Sequence, residues 1–162
     1  MGLPQDKLAK SLAPDNLPSQ PEIVASRTTP DGTCLFNAVS LALVGDETQM
    51  TLLHLLVAAE LVLNSEFYTR HPRITLFSSA DHDEEKLFSL CLTRDSDGVY
   101  LSTNKSKEDA IWLEALVATT SKKWSGLFHI VALSTVTARP IFSAYPNCHT
   151  WIRDFLHSEI CP

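Results

Sequence analysis

No two cysteines in this chain are closely spaced. Cys34, Cys91, Cys148 and Cys161 stand far apart, with no Cys-x-x-Cys pair among them. That spacing excludes the common zinc frameworks, and a disulfide scaffold is not expected in a 162-residue chain able to build a core. Reduced thiols fit a cytoplasmic or nuclear setting. The amino end lacks a signal-like apolar run, because Met1 to Gln20 is polar and carries Pro4, Pro14 and Pro18. The longest apolar stretch, Leu52 to Leu63, is too short for a membrane span and contains His54 and Glu60. Basic residues are outnumbered and the net charge is -6, so no basic stripe for nucleic acid is present. A phosphate-cradling glycine loop is missing as well. No cofactor, metal site, nucleic acid or membrane partner is therefore expected.

What remains is 44% hydrophobic and 20% charged, the composition of a globular domain. Residues 1–21 read as a disordered leader and residues 22–162 as one domain. Ile23 to Ala25 is a short strand feeding a turn at Thr28 to Gly32. A first helix is expected over Cys34–Val44, stopped by Gly45. Asp46-x-x-Gln49 resembles a capping box for a second helix over 48–63, apolar nearly all round and hence buried. A short helix at 65–71 should end before Pro72. The acids of Asp81 to Glu85 suit the start of a helix running to Leu92. Further helices are expected at 110–119 and 127–137. A strand opens at Pro140 and ends near Tyr145, and Trp151, Ile152, Phe155 and Leu156 form a short amphipathic piece. The sum is helix-rich with few strands, an α+β domain.

The chemistry concentrates at Asp31-Gly32-Thr33-Cys34. A cysteine at a turn-to-helix junction sits where unpaired backbone N–H groups favour a thiolate and can hold an oxyanion. A lone cysteine is more often a small buried apolar residue, and Pro-Asp-Gly is also an ordinary turn. The flanking residues decide between these readings. Asp31-Gly32-Thr33-Cys34-Leu35-Phe36-Asn37-Ala38-Val39-Ser40 resembles the nucleophile motif of the ovarian-tumour (OTU) cysteine peptidases, most of which are deubiquitinases. Trp124-Ser125-Gly126, the helix from Leu127, and Arg139-Pro140-Ile141-Phe142-Ser143-Ala144-Tyr145 resemble that family's Trp-Gly-Gly turn, helix and Pro-Ile strand. The likeness is greatest to the vertnin-like, transposon-associated branch.

The resemblance implies a papain-like fold, with Cys34 as nucleophile and Asp31 as the motif's acidic residue. Gly32, Thr33 and Cys34 would form the oxyanion hole, and ubiquitin or a ubiquitin-like protein would be the partner. His54, His71, His82 and His129 read as core or solvated residues, so His149, followed by His157, is nearest in order to the family's general base. The family places that base on a strand after the one ending near Tyr145. The domain is thus expected to be truncated before its last strand or strands, with the base beyond Pro162 or missing. The alternative function is an OTU-derived binding module without turnover.

Overall fold

The computed structural model describes residues 26–78, 83–93, 96, 98–100, 106–120, 123–144 and 150–162. The expected leader, the strand at 23–25, and His82, Tyr145 and His149 lie outside them. Eight helices and one two-stranded antiparallel sheet are described, a helix-rich α+β arrangement.

α1 (Cys34–Val44) starts after Gly32, whose φ of +87° suits glycine. It stops at Gly45, at φ +88°, whose N–H bonds the Leu41 carbonyl at 3.0 Å. α2 (Met50–Leu63) follows a braced turn. The Ser40 hydroxyl donates to the Asp46 carbonyl at 2.7 Å and accepts from the Gln49 N–H at 3.0 Å. The capping box expected from Asp46 and Gln49 does not form. Asp46 Oδ1 accepts instead from the Thr48 N–H and hydroxyl, and Gln49 caps α2 without its side chain.

α3 (Ser65–Thr69) is shorter than the expected helix. It ends before Pro72, as expected, and Pro72 occupies the first turn of a further helix, α4 (Pro72–Phe77), where a missing N–H costs nothing. His71 Nδ1 caps that helix, accepting the Arg73 N–H at 3.3 Å. α5 (Glu84–Cys91) is capped by Asp83, and α6 (Lys107–Thr119) by a Ser106/Asp109 capping box. α7 (Leu127–Thr137) leads to β1 (Ile141–Ser143), then α8 (Thr150–Leu156) and β2 (Ser158–Ile160). β2, unforeseen from sequence, pairs antiparallel with β1, Ile141 opposite Ile160. The Ser134 hydroxyl of α7 lies 2.9 Å from the Ile160 carbonyl and fastens the sheet to the helical body.

α2 packs most extensively against α6, then against α7 and α1. Its inner side, Leu53, His54, Val57 and Leu61, joins Phe36, Tyr68, Phe88, Ile111, Phe128, Leu133 and Phe155 in one core. The expectation that α2 is buried all round is corrected here. Leu52, Leu55, Leu56 and Leu63 are 50%, 57%, 39% and 80% exposed. Trp124 of the Trp124-Ser125-Gly126 turn is 77% exposed.

Candidate functional site

Cys34 is the first residue of α1 and is partly exposed. The helical ladder begins with the Asn37 N–H on the Thr33 carbonyl at 3.0 Å. The N–H groups of Cys34, Leu35 and Phe36 therefore lack intrahelical acceptors and converge at the end of the helix that favours negative charge.

The loop before Cys34 is fixed from both sides. Upstream, Glu47 grips Thr29: its carboxylate accepts the Thr29 N–H at 2.9 Å and the Thr29 hydroxyl at 2.6 Å. Closer to the cysteine, Asp31 Oδ1 accepts the Thr33 N–H at 2.9 Å and the Thr33 hydroxyl. Asn37 Nδ2 donates to Thr33 Oγ1 at 3.1 Å from one turn inside α1. Thr33 and Asn37 are both buried, so the bond between their side chains is shielded from water.

Two consequences follow for the residues singled out from sequence. The Thr33 N–H, one of the expected oxyanion donors, is taken by Asp31 in this arrangement. The Asp31 carboxylate faces the Thr33 backbone and hydroxyl, which gives it a positioning role in the loop.

Histidines lie behind α1. His54 of α2 stacks on Phe36, ring centroids 3.7 Å apart and planes 21° apart. Phe36 follows Cys34 by two helical positions, about 200° around the axis. His54 Nδ1 meets the Ala118 carbonyl, which only accepts, so Nδ1 carries the proton. Burial holds this imidazole below its usual pKa, opposed by that carbonyl. Its Nε2 is buried without a hydrogen-bond partner.

His129 belongs to a second, deeper polar cluster. Its Nδ1 accepts the Gly126 N–H at 3.2 Å, which leaves the proton on Nε2, 3.1 Å from the Glu114 carbonyl and 3.4 Å from Glu114 Oε2. Glu114 is fully buried, and its Oε1 accepts the Thr93 N–H at 2.6 Å and the Thr93 hydroxyl at 2.9 Å. One carboxylate thus ties the end of α5 to α6 and, through His129, to α7. Gly126 completes the junction: a Cβ there would stand 2.6 Å from the Cys91 carbonyl oxygen. The glycine of the Trp124-Ser125-Gly126 motif is required by close backbone approach.

Among the described residues, no histidine hydrogen-bonds the Cys34 thiol. His157 stacks edge-on against Phe142 at 5.0 Å beside the β1–β2 pair. No group of three or more His, Cys, Asp or Glu side chains assembles as a metal-binding set among the described residues. Sequence reasoning named Cys34 and its loop but missed Glu47, Asn37 and Glu114. Glu47 and Glu114 act across 18 and 21 positions, a separation that leaves no local pattern; Asn37 sits inside the nucleophile motif, where its spacing of four from Thr33 was the available signal.

Fold and site together define a class: a helix-rich α+β domain with a small antiparallel sheet and a cysteine opening its first described helix. The chain belongs to the OTU domain family of vertnin, whose model, described as "Vertnin, OTU domain", matches residues 25–162. No curated protein and no solved structure matches the chain.

Proposed function

We propose that this is a papain-like OTU domain directed at ubiquitin or a ubiquitin-like protein, with Cys34 as thiol nucleophile. The observation that carries the reading is the half-open Cys34 side chain at the amino end of α1, on a loop fixed by Glu47, Asp31 and Asn37. In this reading the Cys34 thiolate attacks the carbonyl carbon of an isopeptide bond. The N–H groups of Cys34 and Gly32 receive the developing oxyanion, a contribution of about 3 kcal/mol for each such donor. The C–N bond then breaks, the lysine amine leaves with a proton from the general base, and water hydrolyses the acyl thioester. His149 is the base candidate in sequence order.

A second reading has its own support. The Asp31 carboxylate and the Thr33 N–H are committed to each other, so one expected oxyanion donor is taken and the acid braces the loop. A domain that keeps the cysteine loop and binds its partner without turnover fits those facts. A general base contributes about 10²–10⁴-fold, so its loss would leave a binding module.

Labelling with a ubiquitin probe that carries an electrophile at its C-terminus separates the readings. Turnover predicts an adduct of wild type and none of Cys34→Ala. A titratable complex with unmodified ubiquitin, without adduct, selects the binding module. Neither adduct nor complex would contradict both.

A further inference from the structure

We propose that the outer face of α2 and α6 is a self-association surface that takes a second copy of this chain. Leu52, Leu55, Leu56, Ala59 and Leu63 form one stripe along α2, spaced 3, 4, 7 and 11 residues from the first. In heptad terms these are a, d and e positions, the pattern of a helix that buries a face in a bundle. That stripe is opposite the side already committed to the core through Leu53, Val57 and Leu61. α2 is thus patterned for burial on both sides and is covered on one.

α6 widens the face. His54 and Ala118 meet where α2 begins and α6 ends, so the two helices run antiparallel. Leu55 and Thr119 line one small cavity between them, of about 200 Å³. From Thr119 the same side of α6 continues back to Leu116, 62% exposed, and Trp112, 57% exposed. These two residues and the four stripe leucines leave on the order of 700 Å² open, more than the ~300–600 Å² patch of an ordinary monomer. It approaches the roughly 800 Å² that each partner contributes to a stable interface.

Charge argues for a second copy as the occupant. The stripe carries no charged side chain from Thr51 to Ala59, and Glu60 points aside to the Tyr68 hydroxyl and the Asn64 amide. A two-fold pairing of α2 with its own copy therefore sets leucine on leucine without opposing like charges. The exposed acids near the face, Glu108 and Asp109, lie at the start of α6.

The test is the mass of the full chain by sedimentation equilibrium from about 1 to 100 μM, for wild type and for Leu55→Lys and Leu116→Lys. Both sites are more than half exposed, so both variants are expected to keep the wild-type circular dichroism. The expected result is a wild-type dimer that dissociates on dilution and at least tenfold weaker association in each variant. A wild type monomeric throughout would overturn the proposal and leave the face to residues 1–25 or to an unrelated partner. A dimer untouched by both lysines would overturn it too.

Discussion

Two regions of this protein use the same bond set for different ends. At the start of α1, Asp31 accepts the N–H and the hydroxyl of Thr33; deep in the molecule, Glu114 accepts the N–H and the hydroxyl of Thr93. Asp46 on Thr48 and Glu47 on Thr29 repeat the pattern. The Asp31 pair is local, two residues apart, and its carboxylate is reachable by water. The Glu114 pair spans 21 residues and its carboxylate is sealed. Burial sets the consequence of losing each one: water can replace an exposed acceptor, whereas a buried donor left alone bears its full desolvation cost. One brace shapes a loop around a reactive position, and the other holds three helices together.

The comparison is most exposed to Glu114→Ala. It leaves the buried Thr93 N–H without its acceptor, opens a cavity and removes the Oε2 beside His129, while the Thr93 hydroxyl keeps Ser96 as a partner, so urea unfolding should report a loss of about 3–5 kcal/mol. A loss no larger than that of an exposed cap would break the contrast. Gly126→Ala, which forces a Cβ against the Cys91–Thr93 backbone, should cost about 2–3 kcal/mol at the same junction.

Acid sharpens the picture from another side. The His71 imidazole is held down to about 4 by burial, with the Arg73 charge adding to the effect. The unfolded chain takes up that proton at about 6.5. Stability contributed by neutral His71 is therefore complete above pH 6.5 and is lost as pH falls from 6.5 towards 4. Protonation also removes the Nδ1 lone pair that caps α4. The loss should be roughly 1–2 kcal/mol, allowing for partial solvent screening. His71→Asn, which keeps an acceptor for the Arg73 N–H, should flatten that part of the pH–stability curve. An unchanged slope would assign it elsewhere; His54, depressed in the same direction by burial, would then be tested first. The smallest effect is expected at the loop: Asp31→Ala should cost about 1 kcal/mol, and Asp31→Asn, which keeps Oδ1, less than half of that.

Legibility in the sequence follows the same division between local and distant. α1 and α7 were bounded correctly at 34–44 and 127–137 because their turns, Gly45 and Gly126, lie beside them. The turn at Asp31-Gly32-Thr33 and its junction with Cys34 were equally plain. α3 ends before Pro72 as expected, but the helix that Pro72 opens is not announced, because proline both ends and begins helices and only the His71 side chain, accepting the Arg73 N–H, reveals the start. α6 begins at Lys107, earlier than expected, because Ser106 and Asp109 cap each other. β2 is three residues long and exists only through its partner, so no periodicity announces it. The buried status of α2 could not be read from composition, because leucines on all sides do not say which side is covered.

The account rests on Cys34 being open at the head of α1 while Cys91, 1% exposed and bonded to the Leu87 carbonyl, is closed. Burial also pushes the Cys91 thiol far above its ordinary pKa. Iodoacetamide alkylation of the native chain, read peptide by peptide in a mass spectrometer, compares the two directly. Cys34 is expected to be modified under native conditions, and Cys91 only as fast as the protein unfolds. Cys34 modified no faster than Cys91 would contradict the account.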